Sequence, residues 1–186
     1  MLKKKILLLG GNGTLGKEIK TIIEHESKFQ IISPSSSFLN FNNKNSKKIL
    51  HGVLSKNNFD FIINCIGVFG NNYKDFNDII NPNLKSNWEI INYFLRKKIN
   101  KHIKIFFIGS SAYSGPRKNY MLYAASKLAL HSLYKSANEY FYKKNITIFI
   151  KHPKPFKSRM TRNVNKDKFK NDVSIIAKQI YTMLKK

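Results

Sequence analysis

Residues 4–23 constrain the fold more than any other stretch of this chain. Lys4 to Leu9 is an apolar run short enough to be a buried parallel strand. It leads straight into Gly10-Gly11-Asn12-Gly13-Thr14-Leu15-Gly16, after which Leu15, Ile19, Ile22 and Ile23 recur at helical spacing. Strand, glycine turn, helix is the context in which a G-x-G-x-x-G pattern has physical meaning. The glycines permit a tight turn and close backbone approach, and the helix N-terminus turns its free N–H groups towards a pyrophosphate. A glycine turn without a ligand is the alternative; its position and flanks favour dinucleotide binding.

The rest of the chain continues the alternation. Phe29 to Ser33 reads as a second strand, and Phe38-Leu39-Asn40-Phe41 as a short third one, although the link between them is too brief for a crossover helix of about a dozen residues. Asn45 to Lys56 reads as a helix, and Phe59 to Ile63 as a fourth strand ending in Asn64-Cys65-Ile66-Gly67. A helix over 77–98 is predicted to turn Ile79, Ile80, Leu84, Trp88, Ile91 and Leu95 to the core, with Pro82 kinking it or delaying its start. Then come a strand Ile103 to Ile108, a long helix Tyr120 to Lys144, a strand Ile146 to Ile150 and a closing helix Asp172 to Leu184. Strands alternating with helices indicate an α/β, three-layer, doubly wound parallel sheet, the Rossmann fold, in a single domain over 1–186.

Charge and composition narrow the function classes. No run of about 18 apolar residues is present, so no membrane span is expected. Met1 to Leu9 resembles a short signal peptide, but the apolar run meets glycines instead of a cleavage site, which favours the first strand. The single Cys65 cannot form an internal disulfide, which suits a reducing cytoplasm. The net charge of +24 comes from basic residues scattered over every predicted helix end and loop, which argues against dedicated nucleic-acid binding. The same field attracts an anionic cofactor or substrate. No metal site is expected.

Ser33-Pro34-Ser35-Ser36-Ser37 follows the second strand without an acid, where Rossmann domains that use NAD place a carboxylate on the ribose 2′-hydroxyl. Neutral hydroxyls in a basic chain tolerate a 2′-phosphate better, so NADP(H) is favoured over NAD(H). Tyr123-Ala124-Ala125-Ser126-Lys127 puts a phenol and an ammonium one turn apart on one face of a helix whose small and apolar positions are Ala124, Ala125, Leu128, Ala129, Leu133 and Ala137. A lysine there can lower the phenol pKa from about 10, making it a proton donor or acceptor near neutral pH. An incidental Tyr and Lys on a helix surface is the bland alternative, and the pair's company decides between the two.

With these pieces in order the sequence resembles the short-chain dehydrogenase/reductase family over nearly its whole length. The glycine turn resembles the family's cofactor fingerprint, Asn64-Cys65-Ile66-Gly67 its N-N-A-G turn, and Asn83-Leu84-Lys85 its N-L-x segment. Ser110-Ser111 matches the catalytic serine segment; the S-S-A pattern favours Ser111 and the spacing to the tyrosine favours Ser110. Tyr123 and Lys127 match Y-x-x-x-K, and Pro153 to Met160 is similar to P-G-x-V-x-T-x-M, with Lys154 in place of glycine.

The resemblance implies that Tyr123 exchanges a proton with a small carbonyl or alcohol substrate, possibly anionic, while a serine binds its oxygen. Lys127 holds the cofactor ribose and lowers the tyrosine pKa, and Asn83 supports a relay water. Further cofactor contacts are implied at Gly10, Asn12, Gly13, Thr14, Leu15, Gly16, Ser33, Ser35, Asn40, Asn64, Cys65, Ile66, Gly67, Pro153 and Ser158. The short interval after Met160 implies a trimmed lid, and hence an open site for a bulky or carrier-bound substrate, or one completed by a neighbouring subunit. A homodimer or homotetramer is implied through the helices that hold Trp88, Tyr93, Phe94, Tyr134, Tyr140, Phe141 and Tyr142. A catalytically silent sensor or scaffold, and a sugar-nucleotide reductase or epimerase, are the other readings of the same motifs.

Overall fold

The computed structural model describes residues 2–161, 169 and 171–185. Five parallel strands, β1 (Lys4–Leu9), β2 (Phe29–Ile32), β3 (Phe61–Asn64), β4 (Ile103–Ile108) and β5 (Ile146–Lys151), form one sheet in the order β2-β1-β3-β4-β5. Successive side chains of a strand point to opposite faces, and β1 shows the consequence. Ile6 and Leu8 pack with Leu15, Ile19 and Ile23 of α1 (Thr14–Glu24) and with Ile176, Ala177 and Ile180 of the last helix, α6 (Val173–Lys185). Leu7 and Leu9 pack on the other face, beneath α2 (Ser46–Lys56), α4 (Ser86–Leu95) and α5 (Met121–Tyr140). A sheet covered on both faces explains strands that are near-continuous apolar runs. It is the doubly wound α/β architecture that the alternation predicts.

The predicted third strand does not form. Residues 38–41 make turns, with the Phe38 and Leu39 N–H groups donating to the Ser35 carbonyl. Leu39 and Phe41 are nonetheless buried in the core, so the apolar pattern there reports burial and not pairing. The five residues between Ile32 and Phe38 are too few for a crossover, which leaves β2 at the sheet edge.

The predicted helix around Pro82 is continuous but irregular. A helical turn, α3 (Phe76–Ile80), passes into a π-helical turn over Asn81–Lys85 and then into α4. Proline has no N–H to donate and crowds the preceding turn, and widening the helix by one residue absorbs both faults. The register shift carries Trp88 out to solvent, at 42% exposure, and brings Ile90 and Phe94 into the core. Leu128 is likewise outside, whereas Leu130 is fully buried.

Candidate active site

The order of strands reverses direction between β1 and β3, and in open α/β sheets ligands bind in the crevice beyond the strand ends at such a point. Two clefts meet there. One, of about 400 Å³, runs from Gly10–Gly13 past Pro34, Ser36 and Asn40. The other, of about 350 Å³, lies between Ser110, Ser111, Tyr123, Lys127 and the loop Pro153–Thr161. Cys65, Ile66 and Gly67 line both, so the clefts are continuous along the end of β3.

The glycine turn is shaped by close approach. Gly10 has φ +77°, and a Cβ there would lie 2.9 Å from the Cys65 carbonyl carbon. At Gly16 a Cβ would lie 2.2 Å from the Gly10 carbonyl oxygen, so helix α1 can sit on the turn only with glycine at that position. Gly13 donates to the Gly10 carbonyl at 2.9 Å and forms the N-terminal boundary of α1, which carries no side-chain cap and no acid in its first turn. Thr14 opens the helix; Leu15 is buried in the core and does not line the crevice. Asn12 is exposed, and its carbonyl accepts from the Arg159 guanidinium.

The serines after β2 are mostly committed elsewhere. Ser33 Oγ donates to the Leu8 carbonyl at 2.9 Å, and Ser35 Oγ pairs with Ser37 Oγ at 2.7 Å. Asn40 lines the crevice but turns its Oδ1 to the Asn42 N–H at 3.0 Å. Ser36, one residue from the predicted Ser35, is the serine of this group that lines the crevice.

The two motif asparagines are interior braces. Asn64 is buried; its Nδ2 donates to Asn87 Oδ1 at 2.9 Å and Ser86 Oγ at 3.0 Å, and its Oδ1 accepts from the Ile66 N–H. It thereby shapes the Cys65–Gly67 turn from beneath. Asn83, in the π-helical turn, receives the Val68 N–H on Oδ1 and donates from Nδ2 to the Val68 carbonyl and Ser126 Oγ. Its side chain ties that loop to α5, and its carbonyl accepts from Asn87.

Tyr123 and Lys127 share one face of α5, as their spacing predicts. Lys127 is buried, and its Nζ donates to the Ile108 carbonyl at 3.0 Å while lying 5.7 Å from the Tyr123 ring centre. Burial lowers the Lys127 pKa to about 8, against a raising influence from Cys65. The Cys65 thiol is in turn pushed up to about 12 by burial, with Lys127 opposing.

The expectation that Lys127 depresses the Tyr123 pKa is not met here. Burial raises the phenol above its ordinary value, the Ser110 hydroxyl pulls it down in part, and Tyr120 pushes it up. Desolvation of the anion outweighs a lysine whose donated proton goes to a backbone carbonyl. Of the two serines it is the Ser110 hydroxyl that acts on the phenol pKa; its Oγ accepts from the Ala112 N–H at 3.1 Å. Ser111 lines the same cleft, and its N–H donates to the carbonyl of the buried Pro153.

Ser158 lies in the second cleft, its N–H and Oγ both turned to Thr161 Oγ1. Lys154 needs no glycine-like backbone, since Lys143 is the positive-φ non-glycine residue among the described residues. Most of the interval after Met160, where a trimmed lid is expected, lies outside the described residues.

Several lining residues carry no motif. Phe69 and Tyr120 pack against Tyr123 with ring centres 5.1 and 6.2 Å away, and Arg117 donates to the Ser111 carbonyl. Arg159 reaches the first cleft from the loop after β5. The one signal for it in the sequence is its place beside Ser158. Among the described residues neither cleft is lined by a carboxylate. A dinucleotide diphosphate fits this turn: free N–H groups at the start of α1 and a glycine cradle that a Cβ would fill.

Comparisons with known proteins give the family and the fold. A family model described as short chain dehydrogenase matches residues 5–168. The chain is similar to the 3-oxoacyl-acyl-carrier-protein reductase FabG of Buchnera aphidicola subsp. Schizaphis graminum (strain Sg), at 29% identity over 208 aligned positions, covering 94% of this chain and 82% of that protein. Its backbone matches a short chain dehydrogenase from Burkholderia cenocepacia J2315 in complex with NADP, with a TM-score of 0.84 and 13% identity over 100% of this chain and 85% of the other. Pseudomonas aeruginosa RhlG, in an active-site complex with NADP, matches with a TM-score of 0.78 and 17% identity over 98% and 90%. The two solved structures speak for the fold alone. The family match, on a sheet whose reversal point carries the glycine cradle, means that the chain belongs to the short chain dehydrogenase family and is an NAD(P)-dependent oxidoreductase.

Proposed function

We propose that this oxidoreductase reduces a carbonyl to a secondary alcohol, with NADPH preferred. The observation that carries the reading is the meeting of the Ser110 hydroxyl, the Tyr123 phenol and the buried Lys127 ammonium at the junction of the two clefts. The nicotinamide, when bound, supplies a hydride to the carbonyl carbon. Ser110 then donates a hydrogen bond to the carbonyl oxygen, and Tyr123 delivers the proton that converts the nascent alkoxide to an alcohol. A phenol held above its ordinary pKa is protonated at neutral pH, so a proton is what it has to give. Lys127 holds positive charge beneath the reacting oxygen and a donor for the ribose. Asn64 and Asn83 act by holding the Cys65–Val68 loop in place.

Absence of an acid over 33–37, the exposed Ser36 and the Arg159 guanidinium support a 2′-phosphate in the first cleft. For the substrate, the Buchnera relative is named for reducing 3-oxoacyl groups. Aromatic walls at Phe69, Tyr120 and Phe156, with Arg117 and Lys154 also lining the cleft, suit a short 3-oxoacyl thioester with an anionic carrier. We further propose a homodimer or homotetramer through α4 and α5. Phe94 and Phe141 are core residues, contrary to the surplus predicted for them, and the surface that remains is Trp88, Leu128, Tyr140 and Tyr142. The single thiol fits work in a reducing cytoplasm.

Tyr123→Phe keeps the ring and its packing against Phe69 but removes the proton. A loss of ~100-fold or more in NADPH-dependent reduction of acetoacetyl-coenzyme A is expected, with NADPH still bound. Wild-type reduction should be retained at neutral pH and fall on the alkaline side as Lys127 loses its charge near 8, before the phenol itself ionises. Full turnover by Tyr123→Phe would sink the assignment.

A further inference from the structure

Beneath Ser110 lies a histidine pair that the family motifs do not include. His131 stands at the third step of the Tyr123, Lys127, His131 series along one face of α5, and its Nδ1 is 3.0 Å from His152 Nε2. The other ring nitrogen of His152, Nδ1, lies 3.3 Å from both the N–H and the carbonyl oxygen of Ser110. Tyr113 stacks on the His152 ring at 3.9 Å, and the ring fills the space that a Cβ on Gly109 would need. We propose that His152, held in turn by His131, is the positioning residue that fixes Ser110 against Tyr123 and the substrate oxygen. The proposal rests on the catalytic reading of Ser110 and Tyr123 given above.

The geometry admits two proton arrangements. In one, the Ser110 N–H donates to His152 Nδ1, and His152 Nε2–H donates to His131 Nδ1. In the other, His131 Nδ1–H donates to His152 Nε2, and His152 Nδ1–H donates to the Ser110 carbonyl. Each holds one proton between the rings and one polar bond to the Ser110 backbone. A proton on His152 takes the acceptor from the Ser110 N–H, and a proton on each ring turns the facing nitrogens into two donors, which breaks the bond between the rings.

The groups facing His152 are Ser110, His131, Lys127 one turn earlier on α5, and Tyr113; Tyr134 faces His131 at 6.1 Å between ring centres. Neither ring pairs with a carboxylate among the described residues. Burial lowers the His152 pKa, the Ser110 backbone raises it, and the His131 and Lys127 charges lower it further, so the His152 ring is neutral at neutral pH.

The test uses the full chain with two readouts. In the cofactor-free protein, the Ser110 amide resonance is followed by nuclear magnetic resonance from pH 8 to 5. In parallel, NADPH-dependent reduction of acetoacetyl-coenzyme A is measured over the same range. We expect the amide and kcat to titrate together, with a midpoint below the ordinary histidine value. His152→Ala should lower kcat by ~10- to 100-fold, the scale of a misplaced catalytic group, with NADPH affinity retained. His152→Asn keeps a polar atom near the Nδ1 position, so it should recover most of kcat at pH 8 while both titrations vanish. His131→Asn removes the repelling charge, so the midpoint should move up. An amide that does not titrate, or a His152→Asn enzyme that keeps the acid limb, overturns the proposal. Full turnover by Tyr123→Phe would instead overturn the catalytic reading and leave the amide titration standing.

Discussion

Replacing Lys127 with methionine should make the cofactor-free protein more stable at neutral pH while removing its activity. Lys127 is 4% exposed, and its pKa falls from 10.5 to about 8. Below pH 8 the lysine is charged in both states, and the gap between those values costs the folded state ~3 kcal/mol. Between about 8 and 10.5 the unfolded chain binds the proton more tightly than the folded one, so stability rises with pH. Above 10.5 the cost is gone. Methionine retains the aliphatic stem and carries no charge, but it leaves the Ile108 carbonyl without its donor, at a cost of ~1–2 kcal/mol. The balance is a gain of roughly 1–2 kcal/mol at pH 7, which is a Tm rise of a few degrees in a chain of this size. Urea unfolding of both proteins at pH 7, 8, 9 and 10 reads the difference, which should shrink steadily over the series. A methionine variant less stable than wild type at pH 7, or an advantage that does not change with pH, would refute the reasoning. The lysine's place is then explained by function and not by folding.

Gly16→Ala puts a Cβ 2.2 Å from one backbone atom and 2.7 Å from another, so α1 must lift off the turn; ~3 kcal/mol of stability and ~100-fold in NADPH affinity should go. Gly52→Ala on α2 meets nothing within 4 Å and should stabilise by ~0.5–1 kcal/mol, a control read in the same urea series. Arg159→Ala should weaken NADPH binding by ~10-fold, and NADH binding by less, in fluorescence titrations at fixed ionic strength; equal losses would place the guanidinium on the diphosphate and not the 2′-phosphate. Light scattering at micromolar concentration should give a dimer or tetramer, and Trp88→Lys should shift it towards monomer.

Where sequence and structure parted, the cause lies in groups distant along the chain. The turn at 64–67 was legible, yet Asn64 faces down onto Ser86 and Asn87, because the irregular turn at Pro82 rotates α4 beneath it. The S-S-A pattern favoured Ser111 and the spacing favoured Ser110; with the end of β4 set against α5, it is the Ser110 hydroxyl that acts on the phenol. Arg159 occupies an unspecified position of the Pro153–Met160 motif; it enters the first cleft only because the loop after β5 folds back 147 residues to Asn12. His131 and His152 sit on different elements, and neither has a sequence signal that names the other.

By itself the sequence determined the alternation of strands and helices, the glycine turn between β1 and α1, and the shared face of Tyr123 and Lys127. These depend on spacings of a few residues, which a regular backbone repeats wherever it occurs. The tertiary structure decided the strand at the sheet edge, the serine that acts on the phenol, the carbonyl that accepts from the lysine and the direction of the phenol's pKa. Spacing brings a charge close to a phenol, but burial sets the cost of ionising that phenol, and burial is a property of everything packed around it.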